Sequence, residues 1–430
     1  MVDPVPFAPD VDWHAKLKFV VDMMRELSLQ SDPQEMVRSY GDKVRTLLPS
    51  DRRISLSRRG LPAPYCRITR STTWDAAVDP WKEPEKLPLL KGGILSELIY
   101  ADQPRLIDDL VLAADDPAHE YLAGQRSLIA VPLYDNGLAL NMVVLTKTEP
   151  AAFSREQFPE IVWLSNLFGK ATSSLVLKQE LQKAYHQLER EMRVVGDLQK
   201  TLLPAELPLI PTLELAAHYQ PSARAGGDYY DFFPLPDGKW GIFLADVSGH
   251  GAAAAVFMAI THSIAHTHPG PAAPAGRMLS YLNGHLAKRY SRRTDTFVTA
   301  FYAVYDPTRR SLTYASAGQN PPRLKRKADG SLIGLDAVRG FPLGIMEEWT
   351  YDEATLTLDP GDQIIFYTDG ITEAHNLEGD LFGTDRLDSE LKDGPPQADG
   401  LLMAILQAVS YFAEGRPADD DRTLIVASVS

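Results

Sequence analysis

Five aspartates in the second half of the chain stand where apolar strands begin or end. Asp246 closes IFLADV and runs into the glycine-bracketed turn SGHG. Asp228 opens YYDFF behind a Gly-Gly pair, Asp369 follows QIIFYT, and Asp420 and Asp421 precede RTLIVASV. The stretch GGDYYDFFPLPDGKWGIFLADVSG predicts a hairpin: an aromatic strand, a Pro236-Asp237-Gly238 turn and a second apolar strand. With the three turn residues unpaired, Leu235 faces Lys239, and counting back along both strands places Asp228 opposite Asp246. Like charges so placed destabilise a sheet, and a chain that builds them needs a compensating cation. A cluster of carboxylates without cysteine, completed by water and a backbone carbonyl, suits Mg²⁺ or Mn²⁺ rather than Zn²⁺. Each acid alone reads equally as a turn or capping residue. Their common position at strand ends is what makes them a candidate set. Two such ions held close together acidify a shared water and stabilise the charge that develops as it attacks phosphorus in line, so phosphoester hydrolysis is the natural chemistry.

The elements that must position these groups follow from length and pattern. A chain of 430 residues predicts two domains. With 44% hydrophobic and 23% charged residues it reads as a soluble globular protein, and no apolar run is long enough to span a bilayer. The opening MVDPVPFAPD has neither a basic n-region nor an apolar h-region, and the single Cys66 excludes an intramolecular disulfide. The expected location is a reducing cytoplasm, with no membrane partner. A net charge of -14 opposes binding to nucleic acid, and short basic pieces such as Arg292-Arg293 read as solvated faces.

After a flexible tail over 1–12, helices are predicted from Trp13 to Leu29 and from Pro33 to Leu47. SLIAVPLYDNGLALNMVVLTK reads as two strands about an Asn136-Gly137 type I′ turn. A long helix starts near Ser154 and runs to about Leu203. Its second half carries Leu181, Leu188, Val195 and Leu202 at every seventh position, with Ala184 and Leu198 between them and Glu191 interrupting the second row. This pattern predicts a parallel dimeric coiled-coil linker; the plainer reading is an amphipathic surface helix. Pro204 and Pro208 end it. From Leu213 to Ser430 the pattern is alternating strands and two helices, broken by the loop HTHPGPAAPAG.

In order, GGDYYDF, LADVSGHG, FVTAFYAVYD, YASAGQNPP, GFPLGI, PGDQIIFYTDGITEA and DDRTLIV resemble the SpoIIE-type branch of the metal-dependent (PPM) serine/threonine protein phosphatases. The resemblance covers nearly all of the second domain. It implies two antiparallel sheets in an α-β-β-α sandwich flanked by helices, with two Mn²⁺ or Mg²⁺ ions at one end. By motif position, Asp246 bridges both metals, the Val247 carbonyl binds one, and Asp369 and Asp420 bind the other. Asp228 is a further ligand, directly or through water, and Asp421 is set aside in favour of Asp420. Some relatives place a general-acid histidine closer behind the bridging aspartate than His250 stands here. His250 therefore reads either as the acid that protonates the leaving alkoxide or as a turn residue between Gly249 and Gly251. Arg224 is either a fork onto the substrate phosphate or an exposed loop arginine. Gln319 stands where relatives often carry histidine in an AGHNPP segment.

The first domain resembles a GAF domain through its helix, the SLIAVPL meander and the closing helix. GAF domains bind small ligands or dimerise, and Cys66 raises a covalent bilin or a redox role. The expected α+β layout is a GAF-like sensor over 13–174, a helical linker over 175–204 and a phosphatase domain over 205–430. The expected function is a homodimeric, sensor-regulated protein phosphatase, whose substrate the resemblance identifies as a phosphorylated anti-sigma-factor antagonist in bacterial partner switching. The alternatives are a non-catalytic phosphoprotein-binding module and a phosphatase of small phosphoesters. GHGAAA also satisfies a dinucleotide-binding G-x-G-x-x-A, but the acid-tipped strand required about twenty residues on is replaced by HTHPGPAAPAGR. His262 and His266 stand at i, i+4, yet the intervening SIA lacks the glutamate of H-E-x-x-H, so they read as surface or packing histidines.

Overall fold

A computed structural model describes residues 13–430 apart from 34, 40–48, 75–77, 82 and 292–293. The chain forms two compact units, Met1–Tyr185 and His186–Ser430. The tail over 1–12, the Arg292-Arg293 pair and the end of the helix expected over 33–47 lie outside the described residues.

In the first unit, α1 spans Trp13–Leu29, the bounds its apolar pattern predicts. Six strands, β1 (Arg52–Ser57), β2 (Tyr65–Ser71), β3 (Leu89–Lys91), β4 (Arg105–Ile107), β5 (Ser127–Asp135) and β6 (Leu138–Lys147), form one antiparallel sheet in the order β3-β2-β1-β6-β5-β4. Asn136 (φ 50°) and Gly137 (φ 81°) both adopt positive φ, as the type I′ turn between β5 and β6 requires. Helices α2 (Gly93–Ala101) and α3 (His119–Leu122) cover one face, where Leu95, Leu98, Ile99 and Leu122 pack on Ile54, Leu56, Ile68, Leu128, Met142 and Val144. The other face sends Ile129, Val131 and Leu145 against Phe153 and Ile161. Ile161 lies near the start of α4, an uninterrupted helix over Phe158–Lys200; Pro159 sits in its first turn, where a missing N–H costs nothing.

Cys66 lies in this core with 0% exposure, its Sγ 3.3 Å from Ser96 Oγ, and burial pushes its thiol above the usual range. The bilin and redox roles considered for Cys66 do not suit a sealed, protonated thiol. Thiol-specific labelling is expected to reach Cys66 only on unfolding; stoichiometric labelling of the native protein within minutes would contradict this placement.

The second unit holds two five-stranded antiparallel sheets. One runs β14-β11-β10-β9-β8 and the other β13-β12-β15-β16-β7, with β7 (Leu213–Gln220), β8 (Tyr229–Pro234), β9 (Trp240–Val247), β10 (Val298–Asp306), β11 (Ser311–Ala317), β12 (Arg323–Lys325), β13 (Leu332–Gly334), β14 (Ala354–Thr357), β15 (Gln363–Tyr367) and β16 (Arg422–Val429). Alternate residues of each strand face opposite sides, and in central strands such as β9, β15 and β16 both sides are buried. Ile242, Leu244 and Phe301 of one sheet meet Ile364, Phe366 and Ile425 of the other. Their neighbours Phe243, Ala245 and Tyr302 pack beneath α5 (Ala252–His266) and α6 (Ala275–Arg289). On the far side Ile365, Leu424 and Val426 pack beneath α8 (Gly383–Asp393) and α9 (Ala398–Phe412), with the one-turn α7 (Asp369–Thr372) at the strand ends.

The result is the α-β-β-α sandwich expected, with more helix than the two segments read from the sequence. In α8 only Leu387 and Leu391 are buried among charged neighbours, too thin an apolar stripe to stand out from a loop.

Candidate functional site

The β8–β9 hairpin sets the geometry of the site. Its pairs run from Pro234↔Trp240 to Tyr229↔Ala245, and Leu235 N–H donates to Lys239 O at 2.9 Å. This is the register counted from the turn, so Asp228 and Asp246 sit one step beyond the last pair, at the open end of the sandwich.

Asp228 is fully buried. Its Oδ2 accepts hydrogen bonds from Thr423 Oγ1 (2.6 Å) and Thr368 Oγ1 (2.8 Å), while Oδ1 has no partner at all. Both threonines belong to the opposite sheet or its end, so this carboxylate lies where the sheets meet. Burial, together with the charge of Asp421, holds Asp228 well above the usual carboxylate range against the pull of the two hydroxyls. Burial and then the charges of Asp228, Asp369 and Asp420 push Asp246 up to about 10. Asp369, first residue of α7, is pushed up to about 6 by burial and then by Asp420. Asp420 is raised by burial as well. These groups are mutually repulsive, and the arrangement is one that a cation relieves. The carboxylates do not close into a group with every ligand atom within 4.8 Å of the others. The orphaned buried Oδ1 of Asp228 and the all-oxygen donor set fit a hard divalent cation.

Asp421, set aside on sequence, has a different task. Its Oδ1 accepts from Ser222 N (2.7 Å) and Ser222 Oγ (3.1 Å), and its Oδ2 accepts from Gly227 N (2.5 Å). It is 2% exposed and fastens the turn that delivers Asp228. The glycines around it are there for space: a Cβ on Gly226 would lie 2.2 Å from Asp421 Oδ2, and one on Gly370 2.1 Å from Asp421 O. Gly227 likewise allows Val247 O to approach, at 2.9 Å from where its Cβ would stand.

Gln319 acts as a brace. Its Oε1 accepts from Thr299 Oγ1 (2.6 Å), and its amide donates to Tyr367 O (3.2 Å). Thr299 pairs with Asp246 across β10 and β9, so the buried glutamine links the two sheets beside the site. Replacing Gln319 with alanine leaves these groups unpaired and is expected to cost about 1–3 kcal/mol, measurable as a lowered denaturant midpoint with unchanged slope.

His250 is exposed in the turn between β9 and α5, within electrostatic reach of Asp420. Arg224 is ion-paired with Glu189 of α4, and this engagement competes with the fork onto a phosphate considered for it. Just behind it, Gln199 of α4 both accepts from Gly226 N (2.9 Å) and donates to Gly226 O (2.5 Å). A Cβ on Gly196 would stand 1.9 Å from Arg224 O, so the helix and the turn are in direct backbone contact. Sequence reasoning missed Thr368, Thr423 and Gln199. Threonines beside aspartates in FYTDG and DDRTL were the one available signal.

The family model described as Stage II sporulation protein E (SpoIIE) matches residues 236–430, which include Asp246, Asp369 and Asp420 but begin after Arg224 and Asp228. The chain is 30% identical over 203 residues to "Phosphoserine phosphatase RsbU" of Bacillus subtilis, covering 47% of this chain and 59% of that protein. It is 26% identical over 287 residues to "Protein IcfG" of Synechocystis, covering 61% and 44%. Each match therefore spans less than two thirds of the relative's length. Among solved structures, the SiaA-PP2C domain of Pseudomonas aeruginosa aligns with 57% of this chain and 99% of its own, at a TM-score of 0.50 and 20% identity. Residues 236–430 thus match the SpoIIE family model, and the second unit has the fold of a PP2C domain.

Proposed function

We propose that the chain is a metal-dependent protein serine/threonine phosphatase whose activity is set by a GAF-like sensor through α4. The observation that carries the first part is the convergence of Asp228, Asp246, Asp369 and Asp420 at one end of the sandwich, with a buried carboxylate oxygen left unpartnered. Asp246, the Val247 carbonyl, Asp369, Asp420 and Asp228 would hold two Mn²⁺ or Mg²⁺ ions, which when bound acidify a water and stabilise the charge that builds on phosphorus. Thr368 and Thr423 orient Asp228, Asp421 holds its turn, and Gln319 keeps Asp246 and the β15 end in register. His250, exposed and within electrostatic reach of Asp420, is the candidate to donate a proton to the leaving alkoxide. Likeness to a protein named as a phosphoserine phosphatase supports a phosphoserine protein as substrate, and the motif resemblance extends this, by analogy, to an anti-sigma-factor antagonist of bacterial partner switching.

Regulation is supported by the contacts of α4 with the Arg224–Gly227 turn, because a shift along the helix would move the segment that positions Asp228. On the same helix the heptad residues Leu181, Leu188 and Leu198 remain 69%, 56% and 63% exposed, which favours a second copy of this chain as their cover, whereas Val195 is half-buried and Leu202, beyond the helix end, packs on the second unit's own core instead of continuing the seam.

The primary test measures phosphate release from a phosphoserine protein and from an aryl phosphate, with Mn²⁺, with Mg²⁺ and with chelator. Metal-dependent turnover, with the phosphoprotein far preferred, is expected. Absent turnover of both substrates leaves the binding module, metal-independent turnover overturns the metal-dependent reading, and preference for the aryl phosphate leaves the small-phosphoester enzyme. For the linker, Gln199→Ala and charge substitutions at Leu188 and Val195 are expected to change turnover several-fold; if none does, regulation does not run through this helix.

A further inference from the structure

The tightest grouping of metal-ligating side chains among the described residues lies outside the aspartate cluster. It consists of Asp231, His262 and His266, each offering one ligand atom, all within 4.8 Å of one another. Asp231 sits in mid-strand on β8 with Tyr229 and Phe233, on the face that packs beneath α5, whereas Asp228 lies at the open end of the sandwich. His262 and His266 come from successive turns of α5, so their rings lie one above the other with centroids 4.3 Å apart. His266 Nε2 stands 2.7 Å from Asp231 Oδ2. A sequence reading of the two histidines as packing residues had no way to see the carboxylate that joins them.

The geometry points to a second metal site, one for a borderline transition ion such as Zn²⁺, that ties β8 to α5. Two imidazoles and one carboxylate form an N,N,O donor set, the chemistry that selects Zn²⁺ or Co²⁺ over the hard ions suited to an all-oxygen cluster. At metal–ligand distances of about 2.0–2.2 Å, three donors around one ion stand roughly 3–3.5 Å apart, so side-chain rotations of modest size convert the present contacts into coordination.

The carboxylate is already oriented from behind: the Tyr229 hydroxyl donates to Oδ2 at 2.5 Å, and Phe232 N donates to Oδ1 at 2.7 Å. Such supporting hydrogen bonds are the usual companions of ligating carboxylates. A simple ion pair would use His266 alone, whereas shared coordination employs both rings. His266 is partly exposed, which gives an ion a route in and leaves a coordination position for water. Since α5 starts just after the turn carrying His250, the ion would cross-link the helix on which that turn ends.

The test is a Co²⁺ titration of the full chain, stripped of metal by chelation, followed by visible d–d absorption and then by Zn²⁺ displacement. The proteins compared are wild type, Asp246→Asn, His262→Gln/His266→Gln and Tyr229→Phe, each checked for native circular dichroism. Wild type and Asp246→Asn are expected to give the intense band of a low-coordinate, histidine-bound cobalt at one equivalent, bleached by one equivalent of Zn²⁺. The double histidine variant is expected to lose it, and Tyr229→Phe to bind about 10–100-fold more weakly. Should the double variant prove unfolded, the more exposed His266→Gln alone decides the matter. No intense band in wild type, or a band of equal affinity in the histidine variants, overturns the site. Because the readout is spectroscopic and includes Asp246→Asn, it is independent of the phosphatase reading.

Discussion

Substituting Asp246 with asparagine is expected to reduce metal-dependent phosphate release by at least about 100-fold, or roughly 2.7 kcal/mol of transition-state stabilisation. Asparagine keeps the shape at the end of β9 and the Asp246↔Thr299 pairing, which is a backbone contact. What it removes is the charge at the point where Asp228, Asp369 and Asp420 all act on this residue. In chelator the variant should melt no lower than wild type, because it carries no charge for the fold to neutralise. With Mn²⁺ the wild type should gain stability by mass action and the variant much less. Thermal melts with and without metal, run beside the activity assay, separate loss of chemistry from loss of fold. Near-normal turnover with a normal metal response would remove Asp246 from the proposed centre.

The neighbouring pair Asp420 and Asp421 makes a sharper comparison, since two adjacent carboxylates are assigned opposite tasks. Asp421→Ala strips a buried acceptor from Ser222 N, Ser222 Oγ and Gly227 N, and an expected loss of roughly 2–4 kcal/mol follows from leaving those donors unpaired. Activity should fall too, because the turn that carries Asp228 is no longer held. Asp420→Ala removes a partly exposed group that accepts a hydrogen bond from Asp421 N (2.8 Å), so little stability should be lost while metal-dependent turnover collapses. The check is a denaturant melt and a Mn²⁺-dependence curve for both variants. If Asp420→Ala proved the more destabilising and Asp421→Ala the more damaging to metal affinity, the assignment would be reversed.

The heptad leucines and the α4 contacts with the Arg224–Gly227 turn bear on regulation in different ways. The leucines concern what the helix meets outside the chain, whereas Gln199 and Glu189 concern what it holds within the second unit. A variant at Leu188 that changes oligomeric state without changing turnover would separate the two.

Much of this architecture was legible in the order of residues, because it rests on local rules. A fixed turn length specifies a register, so Pro236-Asp237-Gly238 was enough to set Asp228 against Asp246. Asn136-Gly137 specified a type I′ hairpin because few residues tolerate positive φ. Apolar periodicity marked α1 and the 43-residue α4. What the sequence could not specify was the partner of each polar side chain, since those partners lie far along the chain. Asp421 meets Gly227 at a separation of 194 residues, Asp228 meets Thr423 at 195, and Gln319 joins Thr299 to Tyr367. Asp231 reaches the histidines of α5 only because β8 and α5 pack face to face. Local pattern determined the elements and their hairpins; only the packing of two sheets and their helices decided which carboxylates stand free, which are tied down and which acquire histidine neighbours.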